Sequence, residues 1–163
     1  MSDGYLGNCI DNSFVLRRKL ANFRKGGLIM TQEDKKLLLI DLSARLPYGV
    51  KIMFSSNGFR WDREQTLEEI RQCEDGEYAI NGWGIHGIKP YLRPMSSMTE
   101  EERSYYNDRW FEGYHAKHGD DMVSEPEIPD YIDWLNAHHF DYRGLIDKGL
   151  AIAVNENNNP YID

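Results

Sequence analysis

The side chains best suited to chemistry in this chain are two histidine groups with carboxylates beside them. His115-Ala116-Lys117-His118 is followed by Asp120 and Asp121, and His138-His139 is followed by Asp141. Imidazole nitrogens and carboxylate oxygens are ligands for a divalent metal such as zinc. The spacing is not that of a recognised site. Zinc wants ligands fixed on rigid elements and oriented by outer hydrogen bonds. The first group instead lies between Gly113 and Gly119, and adjacent histidines such as His138 and His139 point to different faces of a helix. The expectation is solvated or packed histidines, with no metal and no cofactor.

Paired carboxylates can act as general acid and base, and Glu69, Glu102 and Asp133 are candidates. A chain with 27 Asp and Glu always supplies pairs, however. What makes a pair catalytic is pKa values pushed apart by burial and neighbours, which spacing does not display. Ser43, Ser96 and Ser97 have no histidine at a spacing that defines a serine nucleophile, and helix capping accounts for them better. Of the two cysteines, Cys9 lies near the N-terminus and Cys73 stands beside Glu74 and Asp75, whose charges disfavour a thiolate. No catalytic constellation emerges, and the chain is expected not to be an enzyme.

Two arginines sit in structured contexts: Arg93 between Leu92 and Pro94, and Arg143 between Asp141 and Gly144. A guanidinium fork binds carboxylate or phosphate in two-pronged fashion. With so many acids in the chain, internal ion pairing is the expected role of both. A ligand pocket is the other reading, formed at the Gly82–Gly87 corner by Trp83, His86 and Tyr91, with Arg93 and Arg143 as charged contributors.

Four tryptophans and ten tyrosines make the chain aromatic-rich. Most such rings belong in a core, but they also anchor interfaces. Tyr105, Tyr106, Trp110 and Tyr114 lie on and after a helix that also carries Glu101 and Asp108. Rings alternating with carboxylates suit a basic protein surface. These six residues are the expected partner-binding face.

Behind these candidates stands a chain of 163 residues and 40% apolar content, enough for one domain with a core. No apolar run approaches the roughly 20 residues needed to span a bilayer, and a cytoplasmic location is expected. The net charge of −8 is unevenly spread: residues 1–51 hold 9 Lys/Arg against 5 Asp/Glu, and residues 52–163 hold 10 against 22. Residues 99–133 alone carry 11 acids against 3 bases. Such a body repels phosphate backbones. Nucleic acid is expected only through residues 14–25, where Arg17-Arg18-Lys19 and Arg24-Lys25 alternate with apolar residues. Residues 1–29 read as a basic extension and 30–154 as one domain. Residues 155–163 read as a frayed tail.

Within the domain, Thr31 caps a helix that opens with Glu33 and Asp34 and runs through Leu37, Leu38, Leu39, Ile40, Leu42 and Leu46 to Pro47 and Gly49. Val50–Phe54 reads as a strand, and Asn57-Gly58 as a hairpin turn into Phe59-Arg60-Trp61. Residues 66–80 read as a continuing meander. Thr99 and Glu102 form a capping box for a helix reaching about Trp110. Ile128, Tyr131, Ile132 and Leu135 recur at helical spacing. Asp141 is placed to cap a short helix to Lys148, before a strand at Leu150–Val154. The fold class is α+β: a small twisted antiparallel sheet of three to five strands from residues 48–92, packed by an N-terminal helix and C-terminal helices.

Three segments together resemble a group of small uncharacterised proteins encoded by gut anaerobic bacteria and their phages or mobile elements. They are Leu42-Ser43-Ala44-Arg45-Leu46-Pro47-Tyr48-Gly49-Val50, Ile88 through Thr99 with Lys89-Pro90-Tyr91-Leu92-Arg93-Pro94 at its centre, and His139 through Leu150 with Phe140-Asp141-Tyr142-Arg143-Gly144. The likeness covers roughly residues 30–154, and members of the group begin near Met30. It implies a mobile-element context and an accessory role toward host machinery, and it brings no assigned activity or site residue.

Three functions follow as expectations. The first is an accessory protein that binds, and inhibits, a host, defence or element-encoded protein. The second is a nucleic-acid binder using the basic arm. The third is a protein that sequesters a small molecule or nucleotide.

Overall fold

In the computed structural model, residues 30–54, 63–107 and 127–162 are described, with backbone alone for 106, 107 and 127–129. The basic extension, the Asn57-Gly58 turn and the segment holding Asp108, Trp110, Tyr114, His115 and His118 lie outside the described residues.

Helix α1, Gln32–Arg45, starts at Thr31, whose hydroxyl accepts the Asp34 amide at 3.1 Å while the Asp34 carboxylate accepts the Thr31 amide. Both groups satisfy amides left over at a helix start. The helix gives way to a 3-10 turn, Leu46–Tyr48, and Gly49 closes it at φ +63°, a left-handed conformation that glycine adopts without strain. The buried stripe differs from the broad leucine face expected. It consists of Leu38, Asp41, Leu42 and Arg45, while Ile40 is 43% exposed. An ion pair therefore occupies two of the four core positions of α1.

The α+β class holds, and the strands divide into two sheets. In the first, β1 (Lys51–Phe54) pairs antiparallel with β2 (Arg63–Thr66) on one side and β6 (Ile88–Leu92) on the other. The C-terminal strand β7, Ile152–Ala153, joins parallel to β6, with Tyr91 opposite Ile152. Pro90 lies opposite Ile52 but before the start of the β7 pairing, so its missing N–H falls where β6 is paired on one side. The second sheet is the expected meander: β3 (Ile70–Gln72), β4 (Tyr78–Ile80) and β5 (Trp83–Gly84). Of the second hairpin strand, Arg63–Thr66 is described, and Phe59-Arg60-Trp61 lie outside the described residues.

Asn81 ties the sheets together. Its side-chain oxygen accepts the Glu68 and Glu69 amides at 2.9 and 3.0 Å, and its side-chain nitrogen donates to the Thr66 carbonyl at 2.7 Å. The residue holds φ +48°, a conformation asparagine tolerates better than most.

Helix α2, Glu100–Asn107, opens with the expected capping box: the Glu102 amide donates to the Thr99 hydroxyl and the Thr99 amide to the Glu102 carboxylate. Helix α3, Glu127–Ala137, buries Leu135 and Asn136. The short helix expected after Asp141 is instead a run of turns. Asp141 still does the capping, its two oxygens accepting the Leu145 and Ile146 amides at 2.8 Å each, and the left-handed Gly144 and Gly149 break the helical path. One apolar core collects Leu38 and Leu42 of α1, Val50, Ile52 and Phe54, Ile80, Ile88 and Leu92, and Leu145 and Leu150.

The tail corrects the expectation of fraying. Tyr161 returns to the first sheet, donating its hydroxyl to the Tyr91 carbonyl at 2.8 Å and accepting the Lys51 amide at 3.1 Å. No helix among the described residues is long and apolar enough to cross a membrane.

Candidate functional site

An arginine at the end of β6 fastens the expected partner-binding helix to the body. Arg93, at the end of β6, donates Nη1 to Glu102 Oε1 at 2.7 Å and Nη2 to Oε2 at 2.8 Å. Its guanidinium lies over the Phe140 ring at 4.2 Å, a cation–π contact that holds the fork flat. The Arg93 hydrogen bonds, helped by the Thr99 amide and opposed by burial, hold the Glu102 carboxyl at about 2. A group ionised so far below neutrality is not a general acid near pH 7. Glu102 serves as the anchor of α2.

With Glu102 turned inward, α2 presents Glu100, Glu101 and Tyr105 to solvent, Tyr105 being 48% exposed. Glu101 and Tyr105 are one turn apart and lie on the same face. The Tyr105 ring stacks on Trp134 of α3 with centroids 6.0 Å apart, and Trp134 continues to Phe140 at 5.7 Å. A row of rings thus runs from exposed Tyr105 to the buried ring beneath Arg93. Asp130, one turn before Trp134, is exposed as well. Of the six expected residues, Glu101 and Tyr105 are seen on this face. Tyr106 is described in its backbone alone, and Asp108, Trp110 and Tyr114 lie outside the described residues.

The five candidate pocket residues have separate neighbours. Trp83 stacks on Phe54 at 4.7 Å, at the edge of the second sheet, and His86 is exposed nearby. Tyr91 is buried in β6. Arg93 is taken by Glu102, and Arg143 lies 3.4 Å from Asp41. A hollow of about 460 Å³ lies between the end of α3 and the tail, lined by His138, His139, Asn159 and Tyr161, and Arg93 is the candidate that reaches it. A second, of about 410 Å³, is lined by Gln65, Thr66, Glu68, Glu69 and Asn81.

The paired histidines diverge as expected. His138 Nδ1 lies 2.8 Å from the Trp134 carbonyl. His139, at φ +59°, turns the other way and stacks on Tyr161 at 4.2 Å. Burial, together with the charges of Arg45, His138 and Arg93, lowers the His139 pKa to about 4. No group of three or more His, Cys, Asp or Glu suited to a metal occurs among the described residues. Of the other carboxylate candidates, Glu69 is exposed and 3.9 Å from Arg71, and Asp133 is exposed on α3. The Ser97 hydroxyl donates to the Pro94 carbonyl at 2.7 Å, a contact within the turn.

Comparison with protein-family models, with curated proteins and with solved structures finds no match to this chain. The functional reading therefore rests on the side chains themselves. Sequence reasoning missed Asp41, Arg45, Asn81 and Tyr161. For the first two a signal was present: an acid and a base four residues apart, interleaved with Leu38 and Leu42 on the apolar face of α1.

Proposed function

We propose that this protein is an accessory protein of a phage or mobile element that acts by binding a host or element-encoded protein, with inhibition of that protein as the effect. The contact is the outer face of α2, Glu101 and Tyr105, and the partner presents a basic surface. One observation carries the reading: the pairing of Glu102 with Arg93 fastens the helix while Glu100, Glu101 and a half-exposed Tyr105 remain open to solvent. Carboxylates steer a basic partner from a distance and a tyrosine supplies contact area once it arrives. The local acid excess of residues 99–133 adds to that steering.

The test is capture of partner by wild type and by Glu101→Lys and Tyr105→Ala, each checked for folding by circular dichroism. Both substitutions alter exposed positions, so the fold should survive them. Capture is expected to fall at least tenfold in each. Unchanged capture by folded variants would sink the proposal.

A further inference from the structure

The most unusual feature away from α2 is a cluster of charge under α1. Asp41 and Arg45 are both fully buried, and Arg45 donates Nε to Asp41 Oδ2 at 2.8 Å and Nη2 to Oδ1 at 3.1 Å. Arg45 Nη2 also donates to the Phe140 carbonyl at 2.7 Å. A second arginine approaches the same carboxylate: Arg143 Nε is 3.4 Å from Asp41 Oδ1 but makes no hydrogen bond to it. The two guanidinia share the Tyr142 ring, at 5.6 and 4.7 Å from its centroid. Tyr142 in turn donates its hydroxyl to buried Asn136 at 3.1 Å.

The cluster holds two cations and one carboxylate. Two other acids are committed elsewhere: Asp141 to the Leu145 and Ile146 amides, and Glu102 to Arg93. Buried polar atoms are almost always hydrogen-bonded, and each exception calls for a reason. Among the described residues three buried side-chain nitrogens have no hydrogen-bond partner: Arg45 Nη1, Arg143 Nε and His139 Nδ1. All three belong to side chains gathered around residues 139–143, whose Phe140 carbonyl Arg45 itself caps. Arg45 Nη1 has no hydrogen-bond acceptor and Arg143 Nε has only its longer approach to Asp41, in a group of two guanidinia around one carboxylate. Such an arrangement is costly unless a further negative charge compensates it.

We propose that Arg45 and Arg143 form a binding site for one small oxyanion, a carboxylate or a phosphate. A planar fork is the group that matches two oxygens of either. Arg143 keeps 25% of its side chain exposed, which gives the ligand a way in from the surface, while fully buried Arg45 supplies the charge at low dielectric. Asp41 then orients both arginines rather than neutralising them. The site is independent of the α2 surface.

The test titrates the full chain at pH 7 and constant ionic strength with inorganic phosphate in one arm and acetate in the other. The Arg45 Nε–H resonance is followed by ¹⁵N NMR, and the thermal midpoint is measured in parallel. A saturable shift of that resonance with a rise in midpoint is expected. Saturation by phosphate alone assigns a phosphate ligand, and saturation by acetate assigns a carboxylate. Arg143→Gln should weaken the response at least tenfold, and Arg143→Lys, which keeps the charge but loses the fork, should weaken it by less. The site does not exist if neither anion gives a saturable shift in wild type, or if folded Arg143→Gln titrates like wild type.

Discussion

Arg93 grips Glu102 with both prongs of its guanidinium, and one oxygen of that carboxylate also accepts the Thr99 amide at 2.9 Å. One side chain thus starts α2 and fastens it to the end of β6. The exposed face of the helix is set by this pairing, because Glu102 faces inward while Glu101 and Tyr105 face out.

Removing the charge at this point should loosen α2 and bring a pH signature. Glu102 sits at about 2 in the folded protein against an ordinary 4.5, so its contribution is complete above pH 4.5 and lost as pH falls through 2. The shift alone converts to about 3 kcal/mol. Solvent screening at this part-exposed pair brings the expectation to about 1–2 kcal/mol. Urea denaturation of Glu102→Gln should show that loss at pH 7 and a flatter profile between pH 4.5 and 2.

His139 should act in a separate window. Its folded pKa, about 4, is depressed by burial and by Arg45, His138 and Arg93, so the unfolded chain takes up the proton first as pH falls below 6.5. Stability is therefore full above pH 6.5 and declines toward pH 4, by about 1–2 kcal/mol after screening. His139→Asn, which tolerates the φ of +59°, should flatten this limb while leaving the lower one in place. Denaturation curves between pH 7 and 4 check it.

Asp41 and Arg45 should show the asymmetry of buried ion pairs. Asp41→Asn leaves the buried Arg45 guanidinium and the part-exposed Arg143 without their carboxylate, and a loss of about 3–5 kcal/mol is expected. Asp41→Leu with Arg45→Met, which removes the pair together, should cost less than Asp41→Asn alone. Chemical denaturation of the single and double variants gives the comparison.

Tyr161 should be measurable as a latch. Its hydroxyl links the Tyr91 carbonyl to the Lys51 amide, and burial pushes its phenol well above the ordinary range, so it stays protonated as donor and acceptor. Tyr161→Phe leaves two sheet groups without their partner and should cost about 1–3 kcal/mol. Hydrogen exchange at the Lys51 amide should speed up in the variant.

What was legible in the chain was whatever local chemistry decides. Thr31 with Asp34 and Thr99 with Glu102 announce two helix starts, because caps depend on neighbours within a few residues. The choice of face on α1 was not legible from its leucines. Asp41 and Arg45 are buried because Phe140 and Arg143, about a hundred residues away, supply partners, and only tertiary packing brings those groups together. The tail failed for the same reason: an Asn-rich stretch reads as polar, and the two sheet groups that hold Tyr161 belong to β1 and β6. At the candidate site, Arg93 and Arg143 were read as ion-pair partners, and Glu102 and Asp41 are the acids they meet. Of the pocket candidates, Trp83 stacks on Phe54, and Arg93 and Arg143 pair with Glu102 and Asp41, contacts set by tertiary packing.

Binding of a protein through Glu101 and Tyr105 of α2 is tested by a quantitative pull-down from nuclease-treated host lysate, comparing wild type with Glu101→Lys and Tyr105→Ala of verified fold. If α2 is the contact, a stoichiometric protein bound by wild type disappears or drops at least tenfold with both variants. If the same protein is retained equally by all three, the contact lies elsewhere and the claim is wrong.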